Sequence, residues 1–108
     1  MIDIHSHILH GVDDGARDLD ESVAMCKAAA REGVTTIVAT PHAFDGVHTT
    51  HSREFLSQKV DELTSRLGGA PRIELGCELR LTHDVVNQVC REKTAPTIAG
   101  GPYVLLEF

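Results

Sequence analysis

Basic residues are scarce in this chain. Ten lysines and arginines stand against sixteen aspartates and glutamates over 108 residues, a formal net charge of −6. Nowhere do the cations gather into a stripe interleaved with aromatics, which excludes a nucleic-acid surface. No apolar run approaches the roughly 20 residues that a membrane-spanning helix needs, so membrane insertion is excluded too. Met1 leads directly into patterned sequence without a basic leader, and the expected address is the cytoplasm. Cysteines are few: Cys26, Cys77 and Cys90. An odd count, no C-x-x-C pair and apolar surroundings fit reduced packing thiols better than disulfides or a zinc knuckle. None lies in a glycine-rich loop with a following arginine, the setting of a nucleophilic cysteine.

What the chain does have is histidine, seven in all, at 42% hydrophobic content, the composition of one globular domain with a modest core. The stretch DIHSH, residues 3–7, alternates apolar and polar. As a strand it sends Ile2 and Ile4 to one face and Asp3 and His5 to the other, with His7 following the parity of His5. Two imidazoles leaving one face at a strand end suit one metal ion; a polar turn after a short strand is the plainer alternative.

Helices and strands alternate from there. RDLDESVAMCKAAAREG carries a capping-box-like pair, Asp18 and Glu21, then Val23, Cys26 and Ala30 at helical spacing, and Gly33 as a stop. Thr35 to Thr40 reads as a buried strand. After the turn-rich PHAFDGVHTT comes a second helix with Leu56, Val60, Leu63 and Leu67 on one face, ended by Gly68 and Gly69. Arg72 to Glu78 is a third strand. LTHDVVNQVCREK is a shorter helix with Thr82 as N-cap and Val85, Val86 and Val89 as its apolar face. TAPTIAGGP is a connection with room for a short extra strand, and YVLLEF is a fourth strand. The order βαβαβαβ implies an α/β fold with parallel strands and right-handed crossovers.

Each strand ends in a residue able to bind metal: His5 and His7, then His42, then Glu78, then Glu107. In parallel α/β folds functional groups collect at those ends. Parity puts Thr36, Val38, Thr40 and His42 on one face, provided that the strand continues through Pro41; Gly76 joins Glu78, and Leu105 joins Glu107. Ile37, Leu75, Val104 and Leu106 then point to the helices. One glutamate at a strand end is ordinarily a solvated cap, but four ends that agree point to a shared metal site. Imidazoles and carboxylates without thiolate suit manganese, iron or zinc, and the carboxylate share favours manganese. Arg80, of the same parity as Glu78, is placed to reach a substrate or, more plainly, to form a surface ion pair. Asp3 lies below His5 and is expected to orient an imidazole or the loop.

The stretches DIHSHILHGVDDGA, IVATPHA, LGCELRL and YVLLEF resemble, over the whole chain, motifs of the polymerase and histidinol phosphatase (PHP) superfamily. Within it they resemble the bacterial manganese-dependent protein-tyrosine phosphatases of capsule and exopolysaccharide synthesis, HGVDDGA being the specific part. The resemblance implies a distorted, TIM-like (β/α)7 PHP barrel holding up to three metal ions. It implies His5, His7 and Glu78 on one ion, Glu78 bridging to a second that Glu107 also holds, and Asp14 with His42 on a third. Without the resemblance GVDDG reads as a tight turn, and Asp13 is the weaker ligand candidate of the pair. The implied substrate is a phosphotyrosine protein, a bacterial tyrosine kinase with a tyrosine-rich tail.

Two positions depart from the branch, His10 where proline is usual and Ala43 where a second histidine is frequent. His10 is expected to face solvent from its loop, and His48, His51 and His83 to be surface or capping residues. Four strands make about half of such a barrel and leave two bare edges, so residues 1–108 are expected to be a partial PHP domain, the N-terminal portion of a longer protein and incomplete as an enzyme, or else an oligomer. The alternatives are another PHP phosphoesterase, of histidinol-phosphate or nuclease type, and a non-catalytic half-barrel.

Overall fold

The computed structural model describes residues 1–87 and 97–108. The chain opens with strand β1 (Ile2–Ser6), followed by helix α1 (Leu19–Arg31), strands β2 (Thr36–Ala39) and β3 (His42–Ala43), and helix α2 (Arg53–Leu67). Strands β4 (Arg72–Leu75) and β5 (Glu78–Arg80), helix α3 (His83–Asn87) and strand β6 (Leu105–Glu107) complete it. Every strand pair is parallel.

Both long helices form where apolar spacing and caps coincide. The Asp18 side chain accepts the Glu21 N–H at 2.8 Å at the start of α1. The reciprocal half of the expected capping box is missing, because the Glu21 carboxylate accepts Arg17 instead, at 3.1 Å. Val23 and Cys26 are buried as the periodicity predicts, but Ala30 is exposed and Ser22 takes the buried position, donating to the Ile8 carbonyl. Ser52 caps α2, whose Leu56 and Leu63 are buried while Val60 and Leu67 pack against the same cluster. Thr82 Oγ1 accepts the Val85 N–H at 3.2 Å, and Val85 is buried whereas Val86 is exposed. Val89 and Cys90 lie outside the described residues, as does the start of the TAPTIAGGP connection, whose Ile98–Gly100 is a single 3-10 turn rather than a strand.

The strands depart from expectation in a way that matters for the site. The second and third do not run through; each breaks, giving two three-stranded sheets, β1-β2-β4 and β3-β5-β6. Pro41 has no N–H to give, so β2 stops before it and the chain resumes at His42. Continuity across the breaks is kept by Thr40 N–H to Ser6 O at 2.8 Å, Gly76 N–H to Ala39 O at 2.8 Å and Glu78 N–H to Pro41 O at 2.9 Å. At Gly76 a Cβ would lie 3.3 Å from both the Ile98 backbone and the Val38 side chain, so the bend there is filled closely.

One core cluster joins Ile8, Leu9, Ile37, Leu56, Leu63 and Ile73 between the first sheet and α1 and α2; a smaller one gathers Ala43, Cys77, Leu79 and Val85, with Val104 against it. Ile37, Leu75 and Val104 face the packed side as parity predicts, while Leu106 is largely exposed. Ile2 and Ile4 are exposed as well, and among the described residues β1 pairs only with β2. No helix among them is long and apolar enough to cross a membrane.

Candidate metal centre

The loop that follows β1 is built around one aspartate. Ala16 N–H donates to His7 O at 3.1 Å and Gly11 N–H to Ala16 O at 3.0 Å, closing residues 7–16 on themselves. Inside, the Asp13 side chain is fully buried. Its Oδ1 accepts Gly15 N–H at 3.0 Å; its Oδ2 accepts His42 N–H at 3.1 Å and His7 Nδ1–H at 2.9 Å. The loop closes because Gly15 has no side chain: a Cβ there would lie 2.0 Å from His7 O. Asp13 thus ties the end of β1 to the start of β3 and orients a histidine, the job expected of Asp3. Asp3 Oδ1 accepts the His5 backbone N–H at 3.0 Å, beside an irregularity in the β1–β2 register. Burial pushes the Asp13 carboxyl up, but the bonds from His7, Gly15 and His42 outweigh it and hold its pKa at about 2.

Because an ionised Asp13 only accepts, His7 carries its proton on Nδ1, and its Nε2 lies 2.9 Å from Glu78 Oε2. Two lone pairs do not face each other at that distance without a cation between them. Either a proton lies between the two atoms or they share a metal ion. The Asp13 hydrogen bond, against the opposing effect of burial, raises the His7 pKa above its ordinary 6.5. Glu78 Oε2 itself is buried with no hydrogen-bond partner among the described residues, as is His42 Nδ1.

The other contacts repeat that spacing. His5 Nε2 is 3.2 Å from Glu78 Oε1, and His42 Nε2 is 3.3 Å from Asp14 Oδ1. His42 Nδ1 faces Asp45 Oδ2 at 3.4 Å, Glu78 Oε2 at 3.5 Å and Glu107 Oε2 at 4.0 Å. Ligand bonds of about 2.1 Å in octahedral geometry put neighbouring donor atoms about 3 Å apart, a separation that the His5–Glu78 and His42–Asp14 contacts approach. Donor atoms lie close enough to share an ion in the sets His5, His7, Glu78; His7, Asp13, Asp14, His42; and His42, Glu78, Glu107. His5, His7, Asp14, His42, Glu78 and Glu107 all line one open hollow of about 620 Å³. Arg80, exposed at the end of β5, does not line it.

Two histidines are placed otherwise than expected. His10 is buried, not solvent-facing, and donates Nε2–H to Glu62 of α2 at 3.0 Å. His48 stands in the site: its ring stacks on that of His42 at 4.4 Å, and its Nδ1–H donates to Asp45 at 2.7 Å. A further set of potential donors, His42, Asp45 and His48, results. The D-x-x-H spacing of Asp45 and His48 was the available signal, but a turn-rich loop hid it. His51 ties α2's N-terminal approach to the first loop, donating to Val12 O at 3.1 Å, and His83 is exposed at the start of α3.

Parallel strands with histidines and carboxylates converging at their C-terminal ends define a class, that of α/β proteins with a cluster of side chains able to bind metal at the mouth of the sheet. Within it, the chain belongs to the family described as capsular polysaccharide synthesis, CpsB/CapC, whose model matches residues 1–108. It is 37% identical over its full length to the tyrosine-protein phosphatase YwqE of Bacillus subtilis and 36% identical to the tyrosine-protein phosphatase CpsB of Streptococcus pneumoniae. It covers 43% of the former and 45% of the latter, so it spans less than half the length of these relatives. A solved structure from work on YwqE and CpsB, described there as unique metal-dependent tyrosine phosphatases, superposes on the whole chain with a TM-score of 0.87 at 35% identity; the chain covers 44% of it.

Proposed function

We propose that this chain supplies metal-binding elements of a metal-dependent protein-tyrosine phosphatase that acts on a bacterial tyrosine kinase controlling capsular or exopolysaccharide synthesis. The observation that carries the reading is the His7–Glu78 contact. Asp13 holds the His7 ring by Nδ1 and turns Nε2, once deprotonated, toward a buried carboxylate oxygen 2.9 Å away, which is a place for a divalent ion. The relatives' described activity supports the phosphotyrosine assignment.

Residues 1–108 belong in this proposal to a partial domain of the distorted (β/α)7 barrel type, with the open edges of β1 and β6 available for further strands. His5, His7 and Glu78 would hold one ion; Glu78 and Glu107 would contribute to a second; Asp14 and His42 would share a third. Manganese is the ion favoured by so carboxylate-rich a set, ahead of iron or zinc. Bound ions would supply an activated water and hold phosphate oxygens for in-line attack. The chain's own part is to aim these donors: Asp13 sets His7, the β2–β3 break turns His42 inward, and the parallel pairing of β3 with β5 sets His42 beside Glu78 in register. Phenolate is a good leaving group, with a pKa of about 10, so little is asked of a general acid. A cytoplasmic location, beside a kinase's tyrosine-rich tail, completes the proposal; the buried free thiol of Cys26 is compatible with it.

The test is metal content and turnover together, on the protein and on its His5→Ala/His7→Ala double variant. Loss of bound metal and a fall in phosphotyrosyl-peptide hydrolysis by orders of magnitude are expected, with helical content kept. Unchanged metal and turnover would overturn the site, and preference for histidinol phosphate or single-stranded DNA would move the activity elsewhere in the superfamily.

A further inference from the structure

The metal centre contains an ordered stack of three imidazoles. His7 and His42 lie with ring centroids 4.6 Å apart at 27°, and His42 and His48 lie 4.4 Å apart at 9°. The two outer rings are each tethered by an aspartate, His7 by Asp13 at 2.9 Å and His48 by Asp45 at 2.7 Å. The central ring has no such hydrogen bond: His42 Nδ1 is buried without a hydrogen-bond partner among the described residues, its nearest carboxylate oxygens being those of Asp45 at 3.4 Å and Glu78 at 3.5 Å, and its Nε2 faces Asp14 at 3.3 Å, across the space an ion would occupy.

A fourth metal ion on His42, Asp45 and His48 is disfavoured by the same geometry. Imidazole lone pairs lie in the ring plane, so two rings share one ion only where their planes meet. Rings at 9°, stacked face to face, offer no point about 2.1 Å from both nitrogens along their lone pairs. Asp45 is moreover already committed, its Oδ1 accepting Val47 and His48 N–H at 2.9 and 2.8 Å and its Oδ2 accepting His48.

We propose that His48 is a positioning residue. Held by Asp45, it presses its ring face against His42 and, with His7 on the other side, fixes the plane in which His42 offers a nitrogen to the ion shared with Asp14. Ring contact replaces the hydrogen bond that ordinarily orients a metal-binding histidine. The segment from Phe44 to Thr50 is then a support for the metal centre, with its own staple in the Phe44 N–H to Thr50 Oγ1 bond at 2.9 Å. The inference rests on the metal reading proposed above and adds to it a residue outside the assigned ligands.

The experiment is a calorimetric manganese titration of the protein with four companions: His48→Ala, His48→Phe, Asp14→Ala and the His5→Ala/His7→Ala double variant. Asp14→Ala identifies which binding event belongs to the His42 ion. For His48→Ala that event should weaken roughly tenfold, the lower end of what loss of an orienting partner costs, while His48→Phe, with a flat face and no nitrogen, should stay within about threefold of the unaltered protein. Ring-proton NMR shifts of His42 in the metal-free protein should move for His48→Ala and stay close for His48→Phe. Equal affinity in the unaltered protein and His48→Ala overturns the proposal. So does a His48→Phe variant as weak as His48→Ala, since that makes the nitrogens of His48 essential. If His48→Ala does not fold, the His48→Phe affinity decides alone. A protein that binds no manganese brings down the metal reading and this inference together, whereas binding lost in Asp14→Ala but kept in His48→Ala removes only the inference.

Discussion

Two loops flank His42, and each is organised by an aspartate that accepts two backbone N–H groups and one imidazole. In the inner loop Asp13 accepts from Gly15, from His42 across a gap of 29 residues, and from His7. In the outer loop Asp45 accepts only from its own segment, Val47 and His48. The local chemistry is nearly the same, an Asx-type turn with a histidine on the second oxygen. The difference is reach. Asp13 joins two strand ends and orients His7, so its loss is expected to be felt in several elements; Asp45 organises one loop and meets the site through the His48 ring and its 3.4 Å approach to His42 Nδ1.

The sharpest way to break the inner loop is Gly15→Ala. A Cβ placed 2.0 Å from His7 O and 2.5 Å from His7 Cβ cannot be accommodated by rotating a flexible side chain. Backbone must move, and the cost is expected to reach about 3 kcal/mol, the upper end for overpacking. Chemical denaturation should show that loss, and metal binding through His7 should vanish with it. Gly46, at the tip of the outer loop, has open space around its Cβ position but a φ of +78 that strains any side chain, so Gly46→Ala should cost about 1–2 kcal/mol, less than Gly15→Ala.

Next in size is Asp13→Asn against Asp45→Asn. The amide keeps one carbonyl oxygen for a backbone N–H but turns an NH2 toward groups that also donate. At Asp13 that sets it against His42 N–H and His7 Nδ1–H in a fully buried place, at about 1–3 kcal/mol for each bond lost, and metal affinity should fall roughly 10- to 100-fold. At Asp45 the change should lower the melting temperature less and weaken metal binding less, through the looser His48 ring and the altered charge 3.4 Å from His42 Nδ1. Equal effects of the two substitutions would refute the comparison.

The inequality between the loops was only partly readable from sequence. Alternation in IDIHS, the helical spacing of Leu56 and Leu63, and one metal-capable residue per strand end were enough for parallel α/β architecture and for the set His5, His7, His42, Glu78 and Glu107 to be seen as neighbours. Those signals are periodic, and periodicity survives in one dimension. Which of Asp13 and Asp14 is buried is not periodic; it depends on a glycine two residues on and a backbone N–H from a different strand. His10 looked like a loop residue because nothing local shows that Glu62 lies opposite it. His48 looked like surface because its partner ring is supplied by a strand that breaks at Pro41, an interruption that the parity argument ran through. Family motifs helped where the chain matched them and were silent on the segment from Phe44 to Thr50.

Acidity separates the loops further. His7 holds its proton more tightly than an ordinary histidine, and that proton must leave before Nε2 can take an ion. Manganese affinity should therefore rise with pH through the raised His7 value and level off above it. In the metal-free protein the sign is opposite. The charged His7–Asp13 pair contributes fully below the ordinary histidine value of 6.5, and this is lost as pH climbs through the raised one. Asp13's contribution is present above 3.8 and lost as pH falls toward about 2. Metal-free stability from this pair should peak between those limits, and manganese should move the optimum upward. Melting curves across pH with and without the ion would show the shift; an optimum that does not move with metal would mean that the ion does not compete for the His7 proton.

The smallest effect expected is at Thr50→Val. Thr50 Oγ1 accepts the N–H of Phe44, a residue with φ +56, in an exposed part of the outer loop. Valine keeps the shape and removes the acceptor, but water can reach the freed N–H, so no buried group is left unsatisfied. The loss should stay within about 0.5–1.5 kcal/mol, the net worth of an ordinary hydrogen bond. Manganese affinity should be unchanged, because the Asp45–His48 tether does not pass through Thr50. Denaturation midpoints and a metal titration on the same sample settle both points. If affinity drops as far as in His48→Ala, the outer loop supports the site as one rigid unit rather than through the His48 ring alone, and the contrast between a far-reaching aspartate and a local one loses its basis.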